Sequence, residues 1–374
     1  MSTDKPVVIY GASGYTGKLV AEYLREYSLP FLAAGRNSER IKQAMEGLPG
    51  RETAVYEVAE SNHTVAELTE LFRGASVVCN TVGPFSKYGP QVVEACIAAG
   101  CHYLDTTGEQ DWVRVCDEEY GERMAERGLL LAPGIAQMYT TGEIAANICL
   151  ETPGLDTLDV AVFWKGSPTV ASTQSILVNA ALSKAYYLEQ NQYVEWPVDG
   201  TCRQLAVPGQ HEVGLGLPWG GTSHPVWFKR DPRVANVSAL GGVLDRQLML
   251  GVPQIVEAAL EQVKDLPEDE KFRVLSEQAL AIRSEAPPRE NQRVNISVDS
   301  VQASGPLGHV HCVLRGACNY KQTGLMQAYA AHHLVHGAPR RVGFGSACQA
   351  FGHRELLGVL QSFGLVAAPV VTGV

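Results

Sequence analysis

Val7-Val8-Ile9-Tyr10-Gly11-Ala12-Ser13-Gly14-Tyr15-Thr16-Gly17 opens the chain with its most informative pattern. A short apolar run ends in glycines spaced G-x-x-G-x-x-G, and Leu19, Val20, Tyr23 and Leu24 then come at helical spacing. The pattern is a strand, a tight turn and a helix start, the unit that receives a dinucleotide pyrophosphate. Gly11 permits the turn, Gly14 lets the backbone approach the phosphates, and Gly17 lets helix and strand pack closely. The helix start offers N–H groups and a positive dipole end to the anion. Ser13 and Thr16 add hydroxyl donors around Tyr15. A plain glycine turn would share these three glycines, so the reading depends on the segments downstream.

The end of the second strand sets the type of cofactor. That strand, Phe31 to Ala34, runs into Gly35-Arg36-Asn37-Ser38. A carboxylate at this point would hold the ribose 2′-hydroxyl of NAD, whereas an arginine suits the 2′-phosphate of NADP. Arg36 occupies the position, and its planar guanidinium pairs with phosphate and stacks on adenine. Asn37 and Ser38 can donate to the same phosphate, with Arg40 nearby. The expected cofactor is therefore NADPH or NADP.

Further βα units continue the rhythm: strands Thr53 to Val58, Ser76 to Asn80, His102 to Asp105 and Leu129 to Ala132, with helices Val65 to Phe72, Pro90 to Ala99 and Trp112 to Arg127. Alternation of this kind predicts an α/β fold with a doubly wound parallel Rossmann-type sheet. Thr81-Val82-Gly83-Pro84-Phe85 ends the fourth strand. Ligands bind at such carboxyl ends, and a Gly-Pro turn leaves room for a nicotinamide ribose against the backbone.

Four motifs together resemble the saccharopine dehydrogenase-like family of NADP-dependent reductases, which includes trans-acting enoyl reductases. They are Gly11 to Gly17, Ala34-Gly35-Arg36, Asn80 to Phe85 with Tyr88-Gly89, and Tyr103-Leu104-Asp105-Thr106-Thr107-Gly108-Glu109. Tyr320-Lys321-Gln322-Thr323 and Gly343 to Leu365 extend the likeness to the far end. After Pro133-Gly134 the chain departs from the family's Ser-x-Pro-Asp-like helix start and reads Met138-Tyr139-Thr140-Thr141-Gly142-Glu143. The resemblance implies an NADP-dependent oxidoreductase with Gly11, Ser13, Gly14, Tyr15, Thr16, Gly17, Arg36, Asn37, Thr81, Val82, Gly83, Pro84, Phe85 and Thr106 around the cofactor.

From Leu155 the rhythm stops. Strands are expected at Asp159 to Trp164, Val234 to Leu240, Arg293 to Ala303 and His309 to Asn319. Helices are expected at Thr173 to Gln190, Gln254 to Val263 and Glu268 to Ile282, and an exposed loop at Ser284 to Gln292. The organisation read from this is a nucleotide domain over 1–135, an inserted α+β substrate and dimerisation domain over 136–319, and C-terminal helices over 320–374 that return to the first domain.

Composition bounds the partners. The chain has 374 residues, 45% hydrophobic and 19% charged, with a net charge of −10. The acidic balance speaks against nucleic acid, which needs clustered Lys and Arg. No apolar run reaches membrane-spanning length, so stable membrane insertion is not expected. A polar Met1 to Lys5 leading into the first strand leaves no export signal, and nine cysteines without C-x-x-C spacing read as reduced thiols of a cytoplasmic protein. His332, His333 and His336 lack an acidic or thiol partner in their segment, so no metal is expected. No G-x-S-x-G elbow occurs, which argues against a serine hydrolase.

Candidate proton donors and orienting groups are Tyr88, Tyr139 and Asp105, with Glu109 beside the last. Trp164, Trp196, Trp219, Trp227, Tyr186, Tyr187, Tyr193 and Phe228 crowd the inserted domain, either as core or as the walls of a pocket for an apolar, small-molecule substrate. Three functions stand open: a reductase of a polarised C=C bond, a saccharopine-type C=N reductase or amino-acid dehydrogenase, and a non-catalytic NADP-binding sensor or scaffold. Apolar C-terminal segments suggest a homodimer.

Overall fold

The computed structural model describes residues 5–182, 184–197, 202–218, 223–281 and 287–373. Its strands, in chain order, are β1 (Val7–Tyr10), β2 (Phe31–Gly35), β3 (Tyr56–Glu60), β4 (Val77–Asn80), β5 (His102–Asp105), β6 (Leu130–Ala132), β7 (Thr157–Lys165), β8 (Tyr186–Glu189), β9 (Gln192–Glu195), β10 (Arg203–Leu205), β11 (Gly214–Gly216), β12 (Asn236–Val243), β13 (Ile296–Gly305), β14 (Gly308–Ala317), β15 (Gly343–Phe344) and β16 (Val370–Thr372). The chain divides into two units. One holds residues 1–107, 112–140 and 320–365, and the other 108–111, 141–319 and 366–374.

The first unit is built on a seven-stranded sheet of order β15-β6-β5-β4-β1-β2-β3, parallel throughout. β1 and β4 are buried at every position, as strands covered on both faces must be. The strand order switches direction between β1 and β4, so the connections leaving these two neighbours pass to opposite sides and open a crevice at their carboxyl ends. The helix Asn319–His336 returns to this unit after a long excursion. Gly324 makes its docking possible: a Cβ there would lie 2.7–2.9 Å from the Cβ and carbonyl carbon of Leu19 on the first helix, Tyr15–Glu26.

The second unit carries a mixed seven-stranded sheet of order β16-β14-β13-β7-β12-β8-β9. β7 and β12 run parallel, while β13 and β14 form a ten-residue antiparallel hairpin. The helix Tyr139–Cys149 covers one face, with the Cys149 thiol donating to the Val301 carbonyl at 3.6 Å. On the other face Phe163, Val207, Val298 and Val313 form a small core under β10 and β11.

Several boundaries differ from the sequence reading. The helix after β4 spans Phe85–Ala99, so Tyr88 lies in its first turns rather than in a loop, and Pro90 sits within the helix. The helix expected over Thr173 to Gln190 ends at Leu182, and Tyr186 to Glu195 form the β8–β9 hairpin. Its turn residues Gln190 and Asn191 both have positive φ, 49° and 57°. Such a turn matches strand twist but is usually marked by Asn-Gly, and Gln-Asn carries no comparable signal. Residues 320–374 divide: those to Leu365 join the first unit, whereas β16 pairs with β14 in the second. Trp219 and residues 282–286, including Ile282 of the expected helix and the start of the expected 284–292 loop, lie outside the described residues.

Candidate functional site

The glycine loop is held from below. The amides of Gly11 and Ala12 both donate to the Ala34 carbonyl, at 2.9 and 3.1 Å, and the Gly14 amide donates to the Gly11 carbonyl at 2.9 Å. Gly11 has φ +97°, and a Cβ on it would stand 2.6 Å from Thr81 Oγ1 and 2.9 Å from Val82 Cγ2. A Cβ on Gly17 would press on the Gly11 carbonyl and lie 2.9 Å from Ala12 Cα. Gly14 is different, meeting only the Gly11 carbonyl at 3.2 Å. It also caps the helix Tyr15–Glu26 without any side-chain acceptor. The first-turn amides and the dipole end therefore face outward over a residue with no side chain, an arrangement suited to a diphosphate. Ser13 is exposed and Thr16 half-buried in this loop, and Tyr15 packs edge-on against Tyr320, ring centres 5.1 Å apart.

At the end of β2, Arg36 is exposed, with its charge close enough to the Tyr10 hydroxyl to oppose the effect of burial on that group. Burial wins, pushing the Tyr10 hydroxyl up to about 12. Asn37 caps the helix Ser38–Glu46, its Oδ1 accepting from the Arg40 amide at 2.9 Å. Ser38 is already engaged: its amide donates to Glu60 Oε2 at 2.7 Å. Glu60 closes β3 and stands beside Gly35 in the strand register. Sequence reading misses Glu60 because it lies far along the chain from the glycines, and only strand pairing brings it to this corner.

The turn after β4 is tied to the glycine loop. Thr81 donates its amide to the Tyr10 carbonyl at 2.8 Å, and its hydroxyl reaches the Tyr10 and Gly11 carbonyls at 3.1 and 3.2 Å. Val82 and Gly83 are half-buried, Pro84 and Phe85 are buried, and the Gly83–Pro84 peptide is cis. Tyr88 packs edge-on against His63 at 5.1 Å, with Lys87 Nζ 5.2 Å from its ring centre. His63 Nδ1 pairs with the Tyr10 hydroxyl at 2.8 Å and Nε2 with the Tyr88 carbonyl at 3.0 Å. The tertiary fold alone gathers Tyr10, His63 and Tyr88, since no spacing links residues from three different βα units.

Asp105 is a brace rather than an open acid. It is fully buried, and four donors fill its oxygens: the Tyr103 hydroxyl and Trp112 Nε1 at 2.8 Å on Oδ2, and the Thr107 and Gly134 amides at 2.9 and 2.8 Å on Oδ1. Burial still pushes its carboxyl up to about 6, with all four hydrogen bonds pulling the other way. A relay extends from it: Asn80 Nδ2 donates to the Tyr103 hydroxyl at 3.0 Å, and Asn80 Oδ1 accepts from the Val82 amide at 3.0 Å. The loops after β4, β5 and β6 are thus locked together through one carboxylate. Gly89 serves the same network, because a Cβ on it would lie 2.7 Å from Trp112 Cε2. Thr106, half-buried, is the residue this brace presents at the end of β5.

Tyr139 begins the helix that leaves the nucleotide unit and is half-buried. Met138 before it has φ +77°, a strained conformation for a residue with a side chain of that size. The Thr140 hydroxyl behind it bonds the Gly134 carbonyl at 3.3 Å. In the second unit Trp164, Trp227 and Phe228 are core residues. Tyr186, Tyr187, Tyr193 and Trp196 line the β8–β9 hairpin half-exposed, with Tyr187 and Trp196 ring centres 4.9 Å apart. Asp299 on β13 is buried with no partner for Oδ1, and burial pushes its carboxyl up to about 8 despite the Thr141 hydroxyl beside it. No helix among the described residues is long and apolar enough to cross a membrane.

Comparison with known proteins agrees with the nucleotide geometry. Residues 7–129 match the saccharopine dehydrogenase NADP binding domain, and residues 140–374 match a family of unknown function, DUF5938. A lipid droplet localized protein of Caenorhabditis elegans is 34% identical over 150 residues, covering 38% of this chain and 35% of that protein. The human saccharopine dehydrogenase-like oxidoreductase is 32% identical over 139 residues, covering 33% of this chain and 32% of its own. A Mycobacterium tuberculosis protein named as a trans-acting enoyl reductase is 35% identical over 125 residues, covering 33% of this chain and 30% of its own. Each match spans only a minor part of the relative's length. Glycines free of clash, an uncapped helix start and an exposed guanidinium at the second strand are what an NADP-binding half requires, and the matched remainder supplies the family: the chain belongs to the family of unknown function DUF5938 and carries a saccharopine dehydrogenase NADP-binding domain.

Proposed function

We propose that the chain is an NADPH-dependent reductase of a polarised carbon–carbon double bond in an uncharged, largely apolar substrate. The observation that carries the cofactor half is Arg36, exposed at the end of β2 beside a glycine loop whose helix start has no side-chain cap. Bound NADPH would supply a hydride to the β-carbon of an α,β-unsaturated carbonyl compound, and one proton from the protein or water would complete the α-carbon. The chain's own residues would do the rest. Amides after Gly14 receive the diphosphate, Arg36 the 2′-phosphate, and the braced loops after β4 and β5 position the nicotinamide ribose near Thr81 and Thr106. Tyr139 is the residue we assign to proton donation, held by the strained Met138 on one side and the anchored Thr140 on the other. Tyr88, tied to His63 and Tyr10, is assigned to the adenosine side, and Asp105 to positioning.

The relative named as a trans-acting enoyl reductase supports C=C reduction. A saccharopine-type substrate carries several carboxylates and calls for convergent arginines. Here Arg233 is engaged with Asp231 and Asn147, and Arg246 reaches the Val213 carbonyl. Thiols that are buried at every position but Cys202 accord with a cytoplasmic setting, and the exposed edge strand β16 with pairing into a homodimer. The deciding experiment follows NADPH absorbance with a panel of enones, enoyl thioesters and cyclic imines. Oxidation with the first two classes is expected. Turnover of imines alone would replace this reading with C=N reduction, and tight NADPH binding without turnover of any class would favour a sensor.

A further inference from the structure

We infer that Glu60 is a specificity-determining residue of the nucleotide site, one that restrains the preference for NADP over NAD. This role rests on Arg36 receiving the 2′-phosphate, the reading proposed for the site. β2 ends at Gly35, whose register partner on β3 is Glu60. The Ser61 amide donates to the Gly35 carbonyl at 3.0 Å, which fixes the two strand ends side by side. From there the exposed Glu60 carboxylate reaches the start of the helix Ser38–Glu46 and accepts the Ser38 amide at 2.7 Å. The Ser38 amide and side chain hold the carboxyl below its ordinary range. Asn37 Oδ1 takes the Arg40 amide on the same turn.

The chemistry at this corner is therefore double. Arg36 offers a cation to a 2′-phosphate, while Ser38, two residues on, has its amide directed to an anion that the protein itself provides. A dianionic phosphate beside Arg36 meets that carboxylate as a like charge and competes for Ser38. A 2′-hydroxyl has no such conflict and can donate to the carboxylate, the bond an acidic residue at the end of β2 would otherwise supply. Strand pairing has placed the acid typical of NAD sites next to the arginine typical of NADP sites, from a different strand.

Glu60→Gln keeps the size and removes the charge at an exposed position, so the fold has no reason to change, and an unaltered thermal melt checks this. Dissociation constants for NADPH and NADH are to be measured by quenching of intrinsic fluorescence for wild type, Glu60→Gln and Arg36→Ala at low and high salt. In Glu60→Gln, NADPH should bind about 3–10-fold more tightly at low salt and NADH more weakly, with the NADPH gain shrinking as salt screens the repulsion. Changes of less than about twofold in both constants, or equal changes in the same direction, would overturn the inference. The Arg36→Ala arm separates it from the reading beneath: if that variant loses both cofactors equally, the 2′-phosphate assignment itself has failed, and the role of Glu60 falls with it.

Discussion

Two buried carboxylates, one in each unit, show how differently the halves of this chain treat a polar group. Asp105 in the nucleotide unit receives four hydrogen bonds, and burial pushes its carboxyl up only to about 6. Asp299 in the second unit has an oxygen with no partner, and burial pushes its carboxyl up to about 8. Both are fully withdrawn from water, so desolvation acts on both, and the donors make the difference. A nucleotide fold must hold several loops in register at the ends of its strands, and one carboxylate with four donors does so. The second unit instead keeps an acid in its neutral form at physiological pH, in a strand already fixed by its neighbours.

Removing the two acids should have opposite results. Asp105→Ala strands four donors and releases three loops, and should cost about 3–5 kcal/mol in urea unfolding. Asp299→Asn removes a carboxyl that the fold must hold protonated at pH 7, and should leave stability there unchanged or raise it by up to about a few kcal/mol. If the two variants prove equally damaging, the contrast fails.

The pH dependence sharpens it. Asp299 has a folded pKa raised above its unfolded value, so its contribution is full below about pH 4 and is lost as pH rises through about 8. Unfolding free energy measured between about pH 5 and 9 should therefore fall by roughly a few kcal/mol over this window through Asp299. The Asn variant should lack that part of the slope. Asp105 gives the same sign over a narrower window, ending at about 6.

A smaller effect is expected from Gly89→Ala, which drives a methyl into Trp112 and so disturbs the brace indirectly. A loss of about 1–3 kcal/mol, read as a lower Tm, is the expected size. Smallest is Arg36→Ala, a change at an exposed site that should leave Tm unchanged. It should weaken NADPH about 10-fold, or roughly 1.4 kcal/mol, and NADH by less than about threefold.

The nucleotide fold was legible because its signals are local. The glycines, the apolar runs and Arg36 sit at short spacings that backbone geometry demands, and the helices and strands of the first unit fall close to where periodicity puts them. The second unit was less legible. The helix expected through Gln190 gives way to the β8–β9 hairpin, because Tyr186, Tyr187 and Leu188 suit either state until a partner strand is present. Asp105 was readable as a residue worth attention but not as a brace, since Tyr103, Trp112 and Gly134 converge on it from three segments.

Local residue order is enough to specify the Rossmann-type half and the kind of nucleotide it receives. A phosphate-binding turn is made of consecutive residues, and its constraints act within one strand, one turn and one helix. It takes the folded chain to bring Glu60 beside Arg36's strand, to join Tyr10 to Tyr88 through His63, and to seal Asp105 while leaving Asp299 with an unfilled oxygen. Charge, burial and hydrogen bonding act through space, and strand pairing sets those distances between residues that the chain keeps far apart.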